Sequence, residues 1–318
     1  MDEASLRRRI RRLVFASPAL SRALLAGEFR SAFKGRGMDF EAVREYEASD
    51  DATRMDWNAT ARFGRPFLKT YRDDRGLAVY LVVDESASMD FGAGRTKRET
   101  AALAASLVAY ACSLNGTRVG ALFFGGGPLE HVEPDAGPVR ARILMERIAS
   151  GPGAPARRAP SPRRGGRRAP GGLRHAGERR CPDELPGLPL ALEAAGSHLK
   201  RRSLVMVLSD FMAAGYALPL ALLARRHDAV AALVKDALDS APPPSRFALR
   251  AVDAETGRRR LVVLYSGAYR EARTAAAGAA RLEWLSSMAA ARMRYLELDA
   301  ASDPAAELIA FFDRRRGR

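Results

Sequence analysis

The pattern of hydrophobic and polar positions along the chain changes near residue 77. From that point, short apolar runs alternate with longer stretches in which apolar residues recur every three or four positions, which is typical of strands alternating with helices. We predict strands over 78–83, 118–124, 129–133, 203–211, 228–236 and 293–299, a hairpin over 247–264 that turns at 255–257, and helices over 97–114, 138–149, 188–200, 217–226, 269–291 and 304–315. The alternation predicts an α/β fold in which a mostly parallel sheet carries helices on both faces.

A different pattern precedes this region. Residues 33–75 are dense in charged and aromatic side chains and lack long apolar runs. We predict an N-terminal amphipathic helix over 5–26 and strands over 40–46 and 67–71. Between the two strands we predict a short helix that is capped by Asp50 or Asp51 and ends at Arg62. The chain therefore divides into an N-terminal segment over 1–75 and an α/β domain over 76–318.

Residues 151–187 interrupt the α/β pattern. Within them, 151–180 hold nine arginines, seven glycines and five prolines, and Leu173 is the only large apolar side chain. Such a segment cannot bury enough apolar surface to order itself, so we predict a disordered insertion. A reading-frame error in a GC-rich gene would leave the same composition, and both origins stay open from the amino-acid sequence.

The formal net charge of +15 is concentrated in a few places. Residues 151–180 supply +8 of it, from nine arginines and one glutamate, and further arginines cluster at both ends of the chain. Arginine tracts bind nucleic-acid phosphates, but residues 151–180 contain no aromatic side chain that could stack on a base. A basic nucleic-acid-binding protein is therefore an alternative function and not the favoured one.

The cysteines and the N-terminus indicate the compartment. Cys112 and Cys181 are too few for a disulfide framework or a cysteine metal site, which favours a reducing environment. The N-terminus lacks the apolar stretch of a signal peptide, and the apolar run over 101–114 is too short to span a bilayer. We expect a cytoplasmic protein without a transmembrane segment.

Two predicted strands end in acidic residues. Asp84 follows "YLVV" and is itself followed at alternate positions by Ser86 and Ser88, while Asp210 follows "VMVLS". Open α/β sheets bind ligands at the C-terminal ends of their strands, and hard divalent cations take oxygen ligands, with Mg²⁺ keeping several waters. We predict that Asp84, Ser86, Ser88 and Asp210 bind Mg²⁺ or Mn²⁺, and that a carboxylate of a protein partner takes an open coordination position.

Two other kinds of site have weaker motifs. The segment "FGAGRTKRET" follows a strand but lacks the Gly-Lys-Ser/Thr of a phosphate loop, so we expect Lys97 and Arg98 at a solvated helix start. A hydrolase using Ser86 or Ser88 is an alternative function, but no G-x-S-x-G elbow is present and none of the histidines, at 131, 175, 198 and 227, is spaced as a partner. We predict a binding module and not an enzyme.

Two stretches carry a resemblance to a known bacterial family. "LVVDESASM" is similar to the metal-ion-dependent adhesion site of the von Willebrand factor A domain, and "VMVLSDF" is similar to the later strand whose aspartate completes that site. The block "GRGMDFEAVREYEASDDATRMDWNATARFGRPFLKTY" resembles the signature that precedes the A-like domain in the family called domain of unknown function 58. The matching positions are Gly35, Gly37, Phe40, Arg44, Tyr46, Asp50, Asp51, Arg54, Asp56, Trp57, Ala61 and Arg62.

This resemblance covers the chain outside residues 151–187. It implies a von Willebrand factor A-like domain that works with a MoxR-type AAA+ ATPase in the assembly or maturation of an unidentified client protein complex, and signature residues that serve the structure or partner binding. One position departs from the family, because the threonine of the second metal loop is missing and no threonine occurs between Thr117 and Thr256. Asp183 and Glu184 are the candidates to replace it.

Overall fold

The structure, a computed structural model, describes residues 40–45, 60–62, 64–71, 78–114, 116–152, 186–240, 248–252 and 259–313. In chain order, the strands are β1 (Phe40–Glu45), β2 (Phe67–Tyr71), β3 (Ala78–Asp84), β4 (Arg118–Phe124), β5 (Glu130–Asp135), β6 (Leu204–Ser209), β7 (Asp228–Lys235), β8 (Ala248–Val252), β9 (Arg259–Val263) and β10 (Arg294–Asp299). The helices are α1 (Lys97–Leu114), α2 (Pro138–Ser150), α3 (Leu188–His198), α4 (Ala217–Arg226), α5 (Ala237–Ser240), α6 (Gly267–Ala290) and α7 (Pro304–Asp313), and a 3₁₀ turn covers Ala87–Asp90.

The main sheet has six strands in the order β10-β7-β6-β3-β4-β5. Every neighbouring pair is parallel except β4 and β5, so the sheet is mixed but mostly parallel. From β3 the chain first moves outward to β4 and β5, and then crosses to the opposite side of β3 to form β6, β7 and β10. The strand order therefore reverses between β3 and β6, and a switch of this kind opens a crevice at the C-terminal ends of the two strands.

Helices cover both faces of this sheet, as the sequence pattern predicts. All seven residues of β3 are buried, and their side chains alternate between two separate apolar clusters. Val79, Leu81 and Val83 pack in the cluster that contains α1, α2 and α7. Tyr80 and Val82 pack in the cluster that contains α3, α4 and α6. A strand buried on both faces has no polar alternation, which explains the continuous apolar run in its sequence.

The predicted elements from β3 onward are confirmed, with small differences at their ends. At β6 the strand ends at Ser209, although the sequence predicts a strand through residue 211. The backbone leaves the strand because Phe211 adopts a positive φ of 53° and its N–H donates to Ser209 Oγ at 3.0 Å. The 3₁₀ turn and α5 were not predicted, since elements of four residues carry too little periodicity to be recognised.

Two further pairs of strands are antiparallel, β1 with β2 and β8 with β9. Both agree with the predicted positions, whereas the predicted hairpin turn at 255–257 lies outside the described residues. The predicted N-terminal helix and residues 153–185 of the insertion also lie outside them. In the described part of the chain, every helix is too short or too polar to cross a membrane.

Candidate functional site

The C-terminal ends of β3 and β6 lie side by side at the switch point of the sheet. Val83 is opposite Leu208 in the parallel register, so the next residues along the two strands, Asp84 and Ser209, come together. Ser209 Oγ donates a hydrogen bond to Asp84 Oδ2 at 2.6 Å. Asp84 is only 4% exposed. Strand pairing therefore places a buried carboxylate at the edge of the sheet where ligands of open α/β sheets bind.

The serines of the D-x-S-x-S motif lie in the turn that follows Asp84. Ser86 N–H donates to Asp84 Oδ1 at 2.9 Å, a bond from the backbone two residues on that aspartate favours in turns. Met89 is fully buried and anchors the turn, and its N–H donates to Ser86 O. Ser86 Oγ and Ser88 Oγ are 3.1 Å apart, and both residues are partly exposed. The structure thus brings the three predicted residues of this motif together.

A glycine turn after β4 supports the motif from the neighbouring strand end. Gly125 has a φ of +84°, and a Cβ at this position would lie 2.6 Å from Ser86 N. Glu85 N–H donates to Phe124 O at 2.8 Å, which fixes the two strand ends against each other. Only glycine combines this backbone conformation with such a close approach, so Gly125 determines where Ser86 can lie.

Glu85 points away from the serines into a buried ion pair that the sequence analysis missed. Arg147 of α2 donates from both terminal nitrogens to the two carboxylate oxygens of Glu85, at 2.9 and 3.0 Å. The same guanidinium donates to Glu130 at 2.7 Å and lies 4.0 Å over the ring of Phe123. The carboxylate of Glu85 can be buried here because it is paired with Arg147. The pair also fixes the backbone beside Asp84.

Asp210 lies at the end of β6 but is engaged with a lysine. Lys97 Nζ donates to Asp210 Oδ2 at 2.8 Å and to Asp239 Oδ1 at 3.4 Å. The expectation that Lys97 lies at a solvated helix start is wrong, because the residue is only 3% exposed. Arg98 is partly exposed and bonds Asp90 and Ser86 O at 2.5 and 3.1 Å. Lys97 is more buried than Arg98 because its side chain contacts Asp210 and Asp239.

The two aspartates therefore differ in their electrostatic environment. Asp210 has a cationic partner, whereas the hydrogen bonds to Asp84 come from the neutral donors Ser86 and Ser209. In the described part of the chain, no lysine or arginine forms an ion pair with Asp84. Burial raises the pKa of Asp84 to about 6, the two serines oppose that rise, and the charge of Asp210 adds to it. Asp84 is thus a buried carboxylate whose negative charge is not compensated.

The donor set suits a hard divalent cation with a sparse protein coordination shell. Within the described ranges, no group of three or more histidine, cysteine, aspartate or glutamate side chains is placed to hold a metal ion. The strand end instead brings one carboxylate and two hydroxyls together, from Asp84, Ser86 and Ser88. Mg²⁺ accepts such a set because it takes one or two carboxylates and keeps several waters.

The other predicted residues are only partly described. Arg44 lies in β1, and Arg62 is exposed in the short helical stretch 60–62. Several predicted positions lie outside the described residues, namely Gly35, Tyr46, Asp51, Arg54, Asp56, Trp57, and the two candidates for the second metal loop, Asp183 and Glu184. The nine arginines of 153–185, on which the nucleic-acid alternative partly rests, also lie outside the described residues.

The histidines bear on the hydrolase alternative, which would need a base beside a serine. His131 and His198 stack with their ring centroids 4.0 Å apart, and the Tyr80 hydroxyl lies 2.6 Å from His131 Nδ1. The two rings are therefore engaged with each other, and His131 is also engaged with Tyr80. His227 is buried, and neither of its ring nitrogens has a hydrogen-bond partner. These contacts give Ser86 no histidine base among the three histidines that the structure describes.

Sequence comparison identifies related proteins. The family described as "Protein of unknown function DUF58" matches residues 42–283. An uncharacterized protein of Mycobacterium bovis, Mb1516, is 30% identical over 321 residues, which cover 100% of this chain and 92% of that protein. The uncharacterized protein Rv1480 of Mycobacterium tuberculosis matches with the same identity and the same coverage.

Among solved structures, the chain is similar to an uncharacterized membrane-spanning protein from Vibrio fischeri. The sequence identity is 14% and the TM-score is 0.19, with 74% of this chain and 96% of that chain covered. The sequence relatives extend over the sheet and the strand-end residues described above.

Proposed function

The chain belongs to the DUF58 family, and from this premise we propose that it is a metal-dependent protein–protein interaction module, working with a MoxR-type AAA+ ATPase in the assembly or maturation of a protein complex. In this proposal the α/β domain is of the von Willebrand factor A type. Its adhesion site is the cluster at the C-terminal ends of β3 and β6.

The observation that carries the proposal is the uncompensated charge of Asp84. A carboxylate that is 4% exposed and bonded only to neutral donors would ordinarily be costly to keep ionised. A divalent cation beside it would remove that cost. The hydroxyls of Ser86 and Ser88, 3.1 Å from each other, supply further oxygen ligands next to the carboxylate. The predicted cofactor is therefore Mg²⁺ or Mn²⁺.

The surroundings of the cluster favour a protein as the ligand. A cation held by one carboxylate and two hydroxyls keeps open positions, and a carboxylate from a partner would supply the missing negative charge. Phe91, 48% exposed, follows the 3₁₀ turn, and Met212, 69% exposed, follows Asp210. Exposed apolar side chains beside a polar site are typical of protein interaction surfaces. The ATPase itself is proposed from the family resemblance.

Thermal melting tests the metal site. We expect Mg²⁺ to raise the melting temperature of the wild-type protein and to leave Asp84→Asn unchanged. At an ion concentration 100 times the Kd, the stabilisation is about 2.7 kcal/mol. Asp135→Asn is a matched control because Asp135 is an exposed aspartate on the edge strand β5. Equal shifts in the wild type and in Asp84→Asn would contradict the proposal.

Co-purification tests the partner. Tagged protein would be incubated with a MoxR-type AAA+ ATPase, with Mg²⁺ or with a chelator. We expect retention that requires the ion and is lost in Asp84→Asn. Retention that is equal with and without chelator would separate the ATPase from the metal site and overturn the metal-dependent part of the proposal.

A further inference from the structure

Lys97 and Asp210 form a closed ion pair beside the candidate metal site. The ammonium of Lys97 lies 2.8 Å from Asp210 Oδ2, and the two side chains are 4% and 5% exposed. The other oxygen, Asp210 Oδ1, accepts the N–H of Met212 at 3.2 Å. Both carboxylate oxygens of Asp210 therefore have partners within the protein, and one of these partners is a full positive charge.

The backbone around Lys97 is held at three points. Lys97 N–H donates to Phe91 O at 3.0 Å, which closes the loop ahead of α1. Within this loop, Ala93 N–H donates to Asp236 Oδ2 at 3.1 Å, and Arg95 Nε donates to Ala300 O at 3.1 Å. Asp236 follows β7 and Ala300 follows β10, so the loop is fastened to the ends of two strands. These contacts thus fix the position of Lys97 relative to Asp210.

The second acceptor of Lys97 strengthens this arrangement. Asp239 Oδ1 lies 3.4 Å from the ammonium, and Asp239 Oδ2 accepts the N–H of Asp236 at 2.9 Å. A lysine that moved away from Asp210 would also lose Asp239 and would leave a buried carboxylate unpaired. Breaking a buried pair in this way is strongly unfavourable.

We propose that Lys97 keeps Asp210 out of the metal-ligand set, so that a divalent cation at this site is bound by Asp84, Ser86 and Ser88 without direct coordination by Asp210. This inference rests on the proposed function, since it concerns the same ion. Lys97 is then the residue that determines how many protein carboxylates reach the metal. Because Asp84 is then the one protein carboxylate at the metal, the site depends on an acidic partner for a second negative charge.

A charge-balanced double variant tests the inference. Lys97→Met with Asp210→Asn removes both charges and conserves the shapes of the side chains, and neutral replacements of buried ion pairs are commonly tolerated or stabilising. We expect Mn²⁺ to bind this variant within about threefold of the wild-type Kd, because the double substitution leaves the net charge beside the site unchanged and removes no proposed ligand. The readout is isothermal titration calorimetry with Mn²⁺ alone, with circular dichroism to verify the fold.

The single variants test the same inference by the direction in which each changes the affinity for Mn²⁺. Asp210→Asn removes one negative charge beside the site and leaves Lys97 paired with Asp239, so it weakens Mn²⁺ binding, whereas Lys97→Met removes the cation that holds Asp210 and tightens it. If Asp210 were a direct ligand in the wild type, the charge-balanced variant would lose tenfold or more in affinity, and this result would overturn the inference. Absence of Mn²⁺ binding in the wild type would instead overturn the proposed function, and Asp84→Asn identifies the site by its loss of binding.

A second measurement needs no variant. Because Lys97 is buried and held by a carboxylate, we expect its ammonium protons to exchange slowly enough for its nitrogen resonance to be observed by NMR. We expect this resonance to persist at saturating Mg²⁺, because Lys97 keeps Asp210. Its disappearance on Mg²⁺ binding would show that the ion takes Asp210 from the lysine, and it would overturn the inference even if the double variant did not fold.

Discussion

Ser209 and Asp84 join the ends of two adjacent parallel strands through a single hydrogen bond of 2.6 Å, from the serine hydroxyl to the buried carboxylate. The same Ser209 oxygen accepts the N–H of Phe211 at 3.0 Å. One hydroxyl therefore orients the candidate metal ligand and also ends β6 with the strained backbone of Phe211. Ser209 therefore belongs to the site, although the sequence analysis places only its neighbour Asp210 there.

Replacement of Ser209 by alanine tests this relationship. Asp84 would lose its strongest neutral donor, and we expect the free energy of unfolding at pH 8, where Asp84 is ionised, to fall by about 1.5–3 kcal/mol, the range for hydrogen bonds to charged groups. The measurement is urea denaturation in chelator. Ser197→Ala is the control, since Ser197 is an exposed serine of α3 whose hydroxyl donates to Glu193 O within the same helix. A loss no larger than in this control would contradict the role of Ser209.

The pKa of Asp84 predicts a pH dependence in the metal-free protein. Burial raises this pKa from 3.8 to about 6 in the folded state, so the folded protein binds the proton more tightly than the unfolded chain. The stabilising contribution is complete below pH 4 and is lost as the pH rises through 6. The loss is on the order of 3 kcal/mol, at 1.36 kcal/mol for each pKa unit.

Asp84→Asn tests this dependence because asparagine carries no charge. In chelator, we expect the variant to be more stable than the wild type at pH 8 and to lose this advantage at pH 4. Urea denaturation across this range gives the difference at each pH. A constant difference would show that the charge of Asp84 is already compensated in the folded protein, and would remove the main support for a cation site.

The distance between partners along the chain determines how much of this site can be predicted from the sequence. "YLVVDESAS" predicts a strand, a turn and three oxygen ligands, because these features are local. Lys97 and Asp210 are 113 residues apart, and Ser209 and Asp84 are 125 residues apart. No local pattern distinguishes a lysine that pairs with a distant aspartate from one in solvent. Such pairs follow from strand order, which periodicity does not determine.

Gly125→Ala tests the close approach of the β4 turn to Ser86. The new Cβ would meet Ser86 N at 2.6 Å, so we expect the serine to be displaced and Mn²⁺ binding to be lost. Gly116→Ala is a matched control, because Gly116 also has a positive φ, of 64°, but has no atom within 4 Å of the added Cβ. Both variants carry the backbone cost of about 1–2 kcal/mol. Only Gly125→Ala is expected to lose the metal, as measured by calorimetry, and equal affinities would exclude this steric role.

Arg147→Met tests the buried pair behind the site. Glu85 would remain buried without its bidentate partner, and we expect a loss of about 3–5 kcal/mol in the free energy of unfolding. The double variant Arg147→Met with Glu85→Gln removes both charges and should recover most of this loss. Urea denaturation of the two variants at pH 7 measures the recovery. Without recovery, packing of Arg147 against Phe123 would be the larger contribution.

His227 is expected to produce a pH dependence of the opposite sign to Asp84. It is 3% exposed with both ring nitrogens unpaired, and burial, followed by the charges of Arg226 and Arg202, lowers its pKa from 6.5. The unfolded chain then takes up a proton before the folded protein does, so stability is complete above pH 6.5 and falls as the pH decreases through the folded pKa. We expect His227→Phe to lose less stability than the wild type between pH 7 and pH 5, measured by urea denaturation. The comparison isolates His227, because the contributions of Asp84 and His131 are common to both proteins. Parallel pH profiles would show that the imidazole is protonated equally well in the folded and unfolded states, contrary to the effect of its burial and of the charges of Arg226 and Arg202.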